Sequence, residues 1–121
     1  MNDRFRFRKP VFSKDKKFKK FVYFELFDMP AFTARSRDII GKEEQCTGLK
    51  DANGNLIYEG DMLLLDPDDP HALVVWDKDV AMFCLEQEDV CYTFDNCGYL
   101  PQEMEVIGNI HENPELLEGK K

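Results

Sequence analysis

The chain has 121 residues and a mass of 14.2 kDa, is 43% hydrophobic and 33% charged, and contains seven Gly and six Pro, which suits one folded core and excludes full barrel enzymes, two-lobed dinucleotide-binding folds and disordered classes. The longest apolar runs, Met62–Leu65 and Ala72–Trp76, fall far short of the ~18 residues a membrane span needs. The net charge of −8 conceals a polarised chain, with 13 Lys/Arg against 7 Asp/Glu in residues 1–50 and 3 against 17 in residues 51–121.

The opening Arg4-Phe5-Arg6-Phe7-Arg8 alternates, as a half-buried strand requires, with Phe on one face and Arg on the other. Its start has no apolar stretch of the kind that marks a secretory leader, and a cytoplasmic location is expected. Ser13 to Lys17 is polar and reads as a turn, and Phe18 to Phe27, dense in Phe, Val, Tyr and Leu, reads as a second strand. Residues 1–27 thus form an N-terminal β-hairpin with a basic outer face. Residues 28–45, with Pro30 and Gly41 and weak periodicity, read as an irregular connection.

From Cys46 the signals sharpen. Asn53-Gly54 marks a hairpin turn in which both central positions take positive φ. Leu56 to Leu65 leads into a long strand through the Glu59-Gly60-Asp61 corner, and Asp66-Pro67-Asp68-Asp69-Pro70 ends it. Short strands are expected over Leu73–Trp76, Met82–Glu86, Val90–Phe94 and Glu105–Ile110, a spacing typical of a small sandwich or barrel. Asn113-Pro114 before Leu116-Leu117 and Gly119 suggests one C-terminal helical turn.

Three strings together resemble the YopX-like family of small phage and prophage proteins. They are Thr47-Gly48-Leu49-Lys50-Asp51 with Asn53-Gly54, then Ile57-Tyr58-Glu59-Gly60-Asp61, and the ending Glu105-Val106-Ile107-Gly108-Asn109-Ile110-His111-Glu112-Asn113-Pro114-Glu115-Leu116-Leu117. The opening Phe5 to Arg8 and Asp15-Lys16-Lys17 add to the likeness. The chain departs from the family pattern in residues 28–45 and at Cys46, where an aromatic is frequent. The resemblance implies a mostly β fold: an SH3-like, partly open barrel over residues 46–121 behind the hairpin. It implies no activity, cofactor or catalytic residue, and the signature positions Thr47, Gly48, Leu49, Asp51, Asn53, Gly54, Tyr58, Glu59, Gly60, Asp61, Gly108, Asn109, Asn113 and Pro114 are expected to serve structure.

No constellation for chemistry stands out. Glu59 and Asp61 have no neighbouring nucleophile or His, so a backbone-capping corner is the better reading. Asp66, Asp68, Asp69 and His71 fail the calcium-loop template, because its sixth and twelfth positions fall on His71 and Asp77. Cys46, Cys84, Cys91 and Cys97 contain no Cys-x-x-Cys pair and are expected as reduced thiols, several of them in the core. No metal or cofactor is expected.

The aromatics Phe5, Phe7, Phe18, Phe21, Tyr23, Phe24 and Phe27, interleaved with Arg and Lys, fit a base-stacking platform, yet a core role is favoured. Arg4, Arg6, Arg8, Lys19 and Lys20 make up the candidate partner-binding face. The expected function is non-enzymatic: an accessory protein binding a host or phage protein, with possible homo-oligomers. Nucleic-acid binding through the basic hairpin is the alternative, and a ligand-sized pocket with strongly perturbed carboxylates would instead favour an enzyme. The two charged halves are expected to neutralise each other.

Overall fold

The computed structural model describes residues 5–25, 38–68 and 70–115. Ten strands make up most of it: β1 (Arg6–Phe12), β2 (Phe18–Glu25), β3 (Ile39–Ile40), β4 (Glu44–Lys50), β5 (Leu56–Tyr58), β6 (Asp61–Leu64), β7 (Ala72–Asp77), β8 (Met82–Gln87), β9 (Val90–Thr93) and β10 (Glu105–Asn109). They form two five-stranded sheets. The first runs β2-β1-β4-β5, with β3 also paired to β1, and the second runs β10-β6-β7-β8-β9. All the pairings are antiparallel.

The hairpin forms as its alternation predicts, with Arg8 opposite Tyr23 and Phe7 opposite Phe24. Sequence reading and structure part over residues 28–45. Ile39–Ile40 and Glu44–Gln45 are strand residues paired to β1, so part of the expected irregular connection belongs to the first sheet, while Asp38 and residues 41–43 are irregular as expected. Phe27 and residues 28–37 lie outside the described residues, as do Arg4, Asp69 and the expected helical turn from residue 116 onward. The helical element that is described, a 3-10 turn over Pro101–Glu103, precedes β10.

Beyond the hairpin the chain is mostly β and curls into a partly open barrel, as expected. The long strand of residues 56–65 is broken in two. At Glu59-Gly60 the chain leaves the first sheet and enters the second, and Gly60 makes that turn at φ +90°. A Cβ there would stand 2.8 Å from the Glu44 carboxylate, so both the dihedral and the packing require glycine. The Gly60 N–H donates to Val74 and its carbonyl accepts from Ile110, which ties the corner to β7 and to the end of β10.

The core lies in the second half: Ile57, Leu63, Val74, Phe83, Leu85 and Met104 are buried against one another. This is where the structure corrects the expectation for the N-terminal aromatics. Of the described ones only Phe24 is buried, while Phe5 and Tyr23 are exposed and the others are half-buried. They form a layer of their own: Phe7 stacks on Phe24, and Phe12, Phe18 and Phe21 surround His111. Cys46 and Cys84 are core thiols as expected, whereas Cys91 is exposed.

Turn chemistry also redistributes. At Asn53-Gly54 only Gly54 has positive φ, because the Asp51 side chain, rather than a tight two-residue turn, organises the bend. The tight turn with positive φ at both positions is instead Glu88-Asp89, between β8 and β9. Neither residue favours that conformation as Asn-Gly does. The double change Glu88→Asn and Asp89→Gly is expected to stabilise the protein by about 1 kcal/mol, read as a higher urea midpoint with an unchanged slope.

Candidate functional site

The site is built where the two sheets meet. Arg8 comes from β1, Glu44 from the start of β4, Tyr58 and Asp61 from the two sides of the corner, and His111 from just beyond β10. Arg8 is buried, only 4% exposed, which corrects its expected outward position. Alternation fixes that Arg6, Arg8 and Pro10 share one face of the strand; it does not say which face turns inward. Here the Arg8 face turns in because carboxylates await it.

Arg8 Nε donates to Glu44 Oε1 at 2.8 Å, and Nη2 lies 2.8 Å from Asp61 Oδ1 and 3.2 Å from the Glu59 carbonyl that it donates to. Its guanidinium sits over the Phe21 ring at 3.9 Å and the Tyr58 ring at 4.8 Å. Glu44 Oε2 is 2.6 Å from His111 Nε2. Asp61 Oδ2 accepts the Tyr58 N–H at 2.8 Å. Each of the four side chains is thus engaged, as buried polar and charged groups must be.

Electrostatics follow from the burial. Desolvation pushes Asp61 up to about 6, against the opposing pull of Arg8 and the Tyr58 N–H. Burial works to lower Arg8, but Asp61 and Glu44 outweigh it and hold the guanidinium above its ordinary value. Burial also raises Glu59, and it raises the Tyr58 hydroxyl to about 12.

Between the ordinary value of 3.8 and about 6, folded Asp61 keeps a proton that the unfolded chain has released. The stability this proton contributes is complete below about 3.8 and lost as pH rises through about 6, a fall of about 3 kcal/mol for such a shift. Glu59 contributes in the same direction. Urea midpoints are therefore expected to drop across this window, and Asp61→Asn is expected to flatten the drop.

A groove of about 530 Å³ opens beside Arg8 and Asp61, walled by Phe21, Tyr23, Tyr58 and Val106. Tyr23, at 57% exposure, presents its ring to solvent and meets Tyr58 edge-on at 5.7 Å. Asp61 is thus a perturbed carboxylate lining a ligand-sized groove, the feature expected of an enzyme. Both its oxygens, however, are committed to Arg8 and the Tyr58 N–H. Asp66 does not join it: that side chain closes its own turn by accepting the Asp68 N–H.

Of the remaining expected binding residues, the described ones, Arg6, Lys19 and Lys20, do not line the groove. Arg6 is exposed and lies 3.6 Å from Glu25, and Lys19 Nζ lies 3.1 Å from Asp38. Lys20 is exposed. Between the halves Arg8 pairs with Asp61, and His111 contacts Glu44, whereas Arg6–Glu25 and Lys19–Asp38 lie within the first half. Among the described residues no cluster of three or more His, Cys, Asp and Glu is placed to hold a metal.

The signature residues frame the site. Thr47 Oγ1 donates to the Ile57 carbonyl and accepts the Leu49 N–H, locking β4 to β5. Asp51 Oδ1 accepts the Asn53 and Asn55 N–H groups, and Oδ2 accepts Val106 N–H at 2.9 Å, fastening the turn to β10. Asn109 Oδ1 accepts the His111 and Glu112 N–H groups. Gly108 leaves room for Asn113: a Cβ there would stand 2.5 Å from Asn113 Oδ1. The last turn is thereby held where His111 reaches Glu44.

The family model described as YopX protein matches residues 13–118. The chain belongs to the YopX protein family. Its structure is similar to the crystal structure of protein EF1440 from Enterococcus faecalis, with a TM-score of 0.51 and 23% identity over 92% of this chain and 97% of that one. That likeness speaks for the fold alone. No curated protein matches the sequence. Within this YopX family member, Arg8, Glu44 and His111 are the site residues that sequence reading placed wrongly or missed. One signal pointed to them: a signature carboxylate such as Asp61, once buried, requires a cation.

Proposed function

We propose that this YopX family protein is a non-enzymatic phage or prophage accessory protein of the bacterial cytoplasm. It works as a protein-interaction module, with the aromatic groove as its contact surface. The observation that carries the reading is the pairing of committed charges with uncommitted aromatic surface. Arg8, Glu44, Asp61 and His111 are spent on one another, while Tyr23 stands exposed at the groove rim. Exposed tyrosine beside an apolar wall is the usual anchor of protein contacts. An enzymatic reading draws on the raised Asp61, but each of its oxygens already accepts a hydrogen bond, from Arg8 and from the Tyr58 N–H, which supports a structural role for it.

The test is capture from bacterial lysate with tagged wild-type protein and Tyr23→Ala, each eluted with and without nuclease. A stoichiometric protein that survives nuclease and is lost with Tyr23→Ala is the expected result. Captured material that vanishes with nuclease would replace this reading with nucleic-acid binding through the basic hairpin.

A further inference from the structure

A second surface lies at the far edge of the second sheet. Among the described residues β9 ends the strand order and pairs only with β8. Sheet edges are ordinarily blunted by Lys, Pro or a bulge. β9 has none of these: it reads Val90-Cys91-Tyr92-Thr93, regularly paired and largely exposed. The opposite edge differs, since β10 carries a register shift between Val106 and Gly108.

The two-residue turn places Gln87 opposite Val90. In an antiparallel ladder the bonded pairs alternate, so the Val90 and Tyr92 backbone groups face β8 and those of Cys91 face outward. Along this edge runs a groove of about 440 Å³, walled by Pro70, Val90, Tyr92, Cys97 and Tyr99. The flanking charges have one sign. Glu86, Glu88, Asp89 and Asp95 are exposed, and Lys78 is the single Lys or Arg among the described residues from 51 onward.

We propose that β9 accepts an extended segment of a partner protein in which basic and apolar side chains alternate. The segment adds as a further strand through the outward Cys91 N–H and C=O. Its apolar side chains enter the groove against Tyr92 and Tyr99, and its cations meet the acids around the turn. The inference deepens the interaction-module reading and rests on it, but places a contact at an edge remote from Tyr23.

The probe is a short fluorophore-labelled peptide of alternating lysine and valine, titrated into the whole protein and followed by anisotropy. An all-lysine peptide of equal length and an alternating glutamate–valine peptide serve as comparisons. The alternating basic peptide is expected to bind at least about tenfold more tightly than all-lysine. Cys91→Pro, which removes one outward N–H from an exposed edge position where proline is tolerated, is expected to weaken it by about tenfold. Tyr23→Ala is expected to leave it unchanged. Equal binding of all-lysine, indifference to Cys91→Pro, or self-association of the protein that the peptide cannot displace would each overturn the proposal. Should the peptide fail while Tyr23-dependent capture persists, the edge proposal falls and the interaction module stands.

Discussion

Replacing Arg8 with alanine is expected to destabilise the protein by about 3–5 kcal/mol at neutral pH, the range for removing one partner of a buried ion pair. The reason is what stays behind. Glu44 and Asp61, both buried, would lose the guanidinium they share, leaving Glu44 against His111. The Phe21 and Tyr58 rings would lose the guanidinium packed on them. Since Asp61 already titrates at about 6 with Arg8 in place, its removal drives that carboxyl higher still. Part of the loss is therefore regained toward pH 5, where a neutral Asp61 needs no counter-charge.

Arg8→Met restores the stem's packing but not the charge, so it is expected to recover only a fraction. The triple change Arg8→Met, Glu44→Gln and Asp61→Asn removes the unpaired charges and is expected to recover more. Urea unfolding at two pH values measures all of these. A loss for Arg8→Ala below about 1 kcal/mol, the range of exposed pairs, would show that the cluster does not hold the sheets together.

Asp51→Ala is the second large effect, expected at about 3 kcal/mol. Three backbone N–H groups, those of Asn53, Asn55 and Val106, lose a carboxylate acceptor together. The first two shape the turn between β4 and β5. The third crosses 55 positions of sequence to the second sheet. Asp51→Asn retains one acceptor oxygen, enough for the turn but not for Val106, and is expected to lose about half as much. Asp51 is 4% exposed, so water does not readily replace the missing oxygen. Thermal or urea unfolding decides, and equal stability of Asp51→Asn and wild type would show that the Val106 bond contributes nothing.

Much of this architecture is legible in the residues because local chemistry specifies it. The Arg/Phe alternation before a lysine-rich turn is enough to specify the hairpin. Asn53-Gly54 marks the turn between β4 and β5, although Asp51 caps it in place of the two-residue turn that dipeptide suggests, and Gly60 between two acids specifies the corner. What escapes a linear reading is set by contacts distant in sequence. Whether Arg8 or Phe7 turns inward depends on Glu44, 36 positions away, in a stretch whose weak periodicity reads as irregular. His111 ends the charged chain 67 positions from Glu44. The Glu88-Asp89 turn is dictated by the register of β8 on β9 against the preference of both residues.

The same contacts change the meaning of the basic half. Thirteen cations in the first fifty residues suggest a surface for phosphates. In the fold Arg8 is enclosed, while Arg6 and Lys19 lie beside carboxylates. The polarity of the sequence is thus partly consumed in fastening the structure. It leaves aromatic surface, rather than a field of free cations, at the groove.

The salt dependence of binding to single-stranded DNA tests that account most directly. Anisotropy titrations from low to physiological salt are expected to show weak affinity throughout, with a shallow slope worth about one or two released counterions. Tight binding at low salt that falls steeply, with a slope of five or more released counterions as an order of magnitude, would contradict it and make the basic hairpin the functional surface.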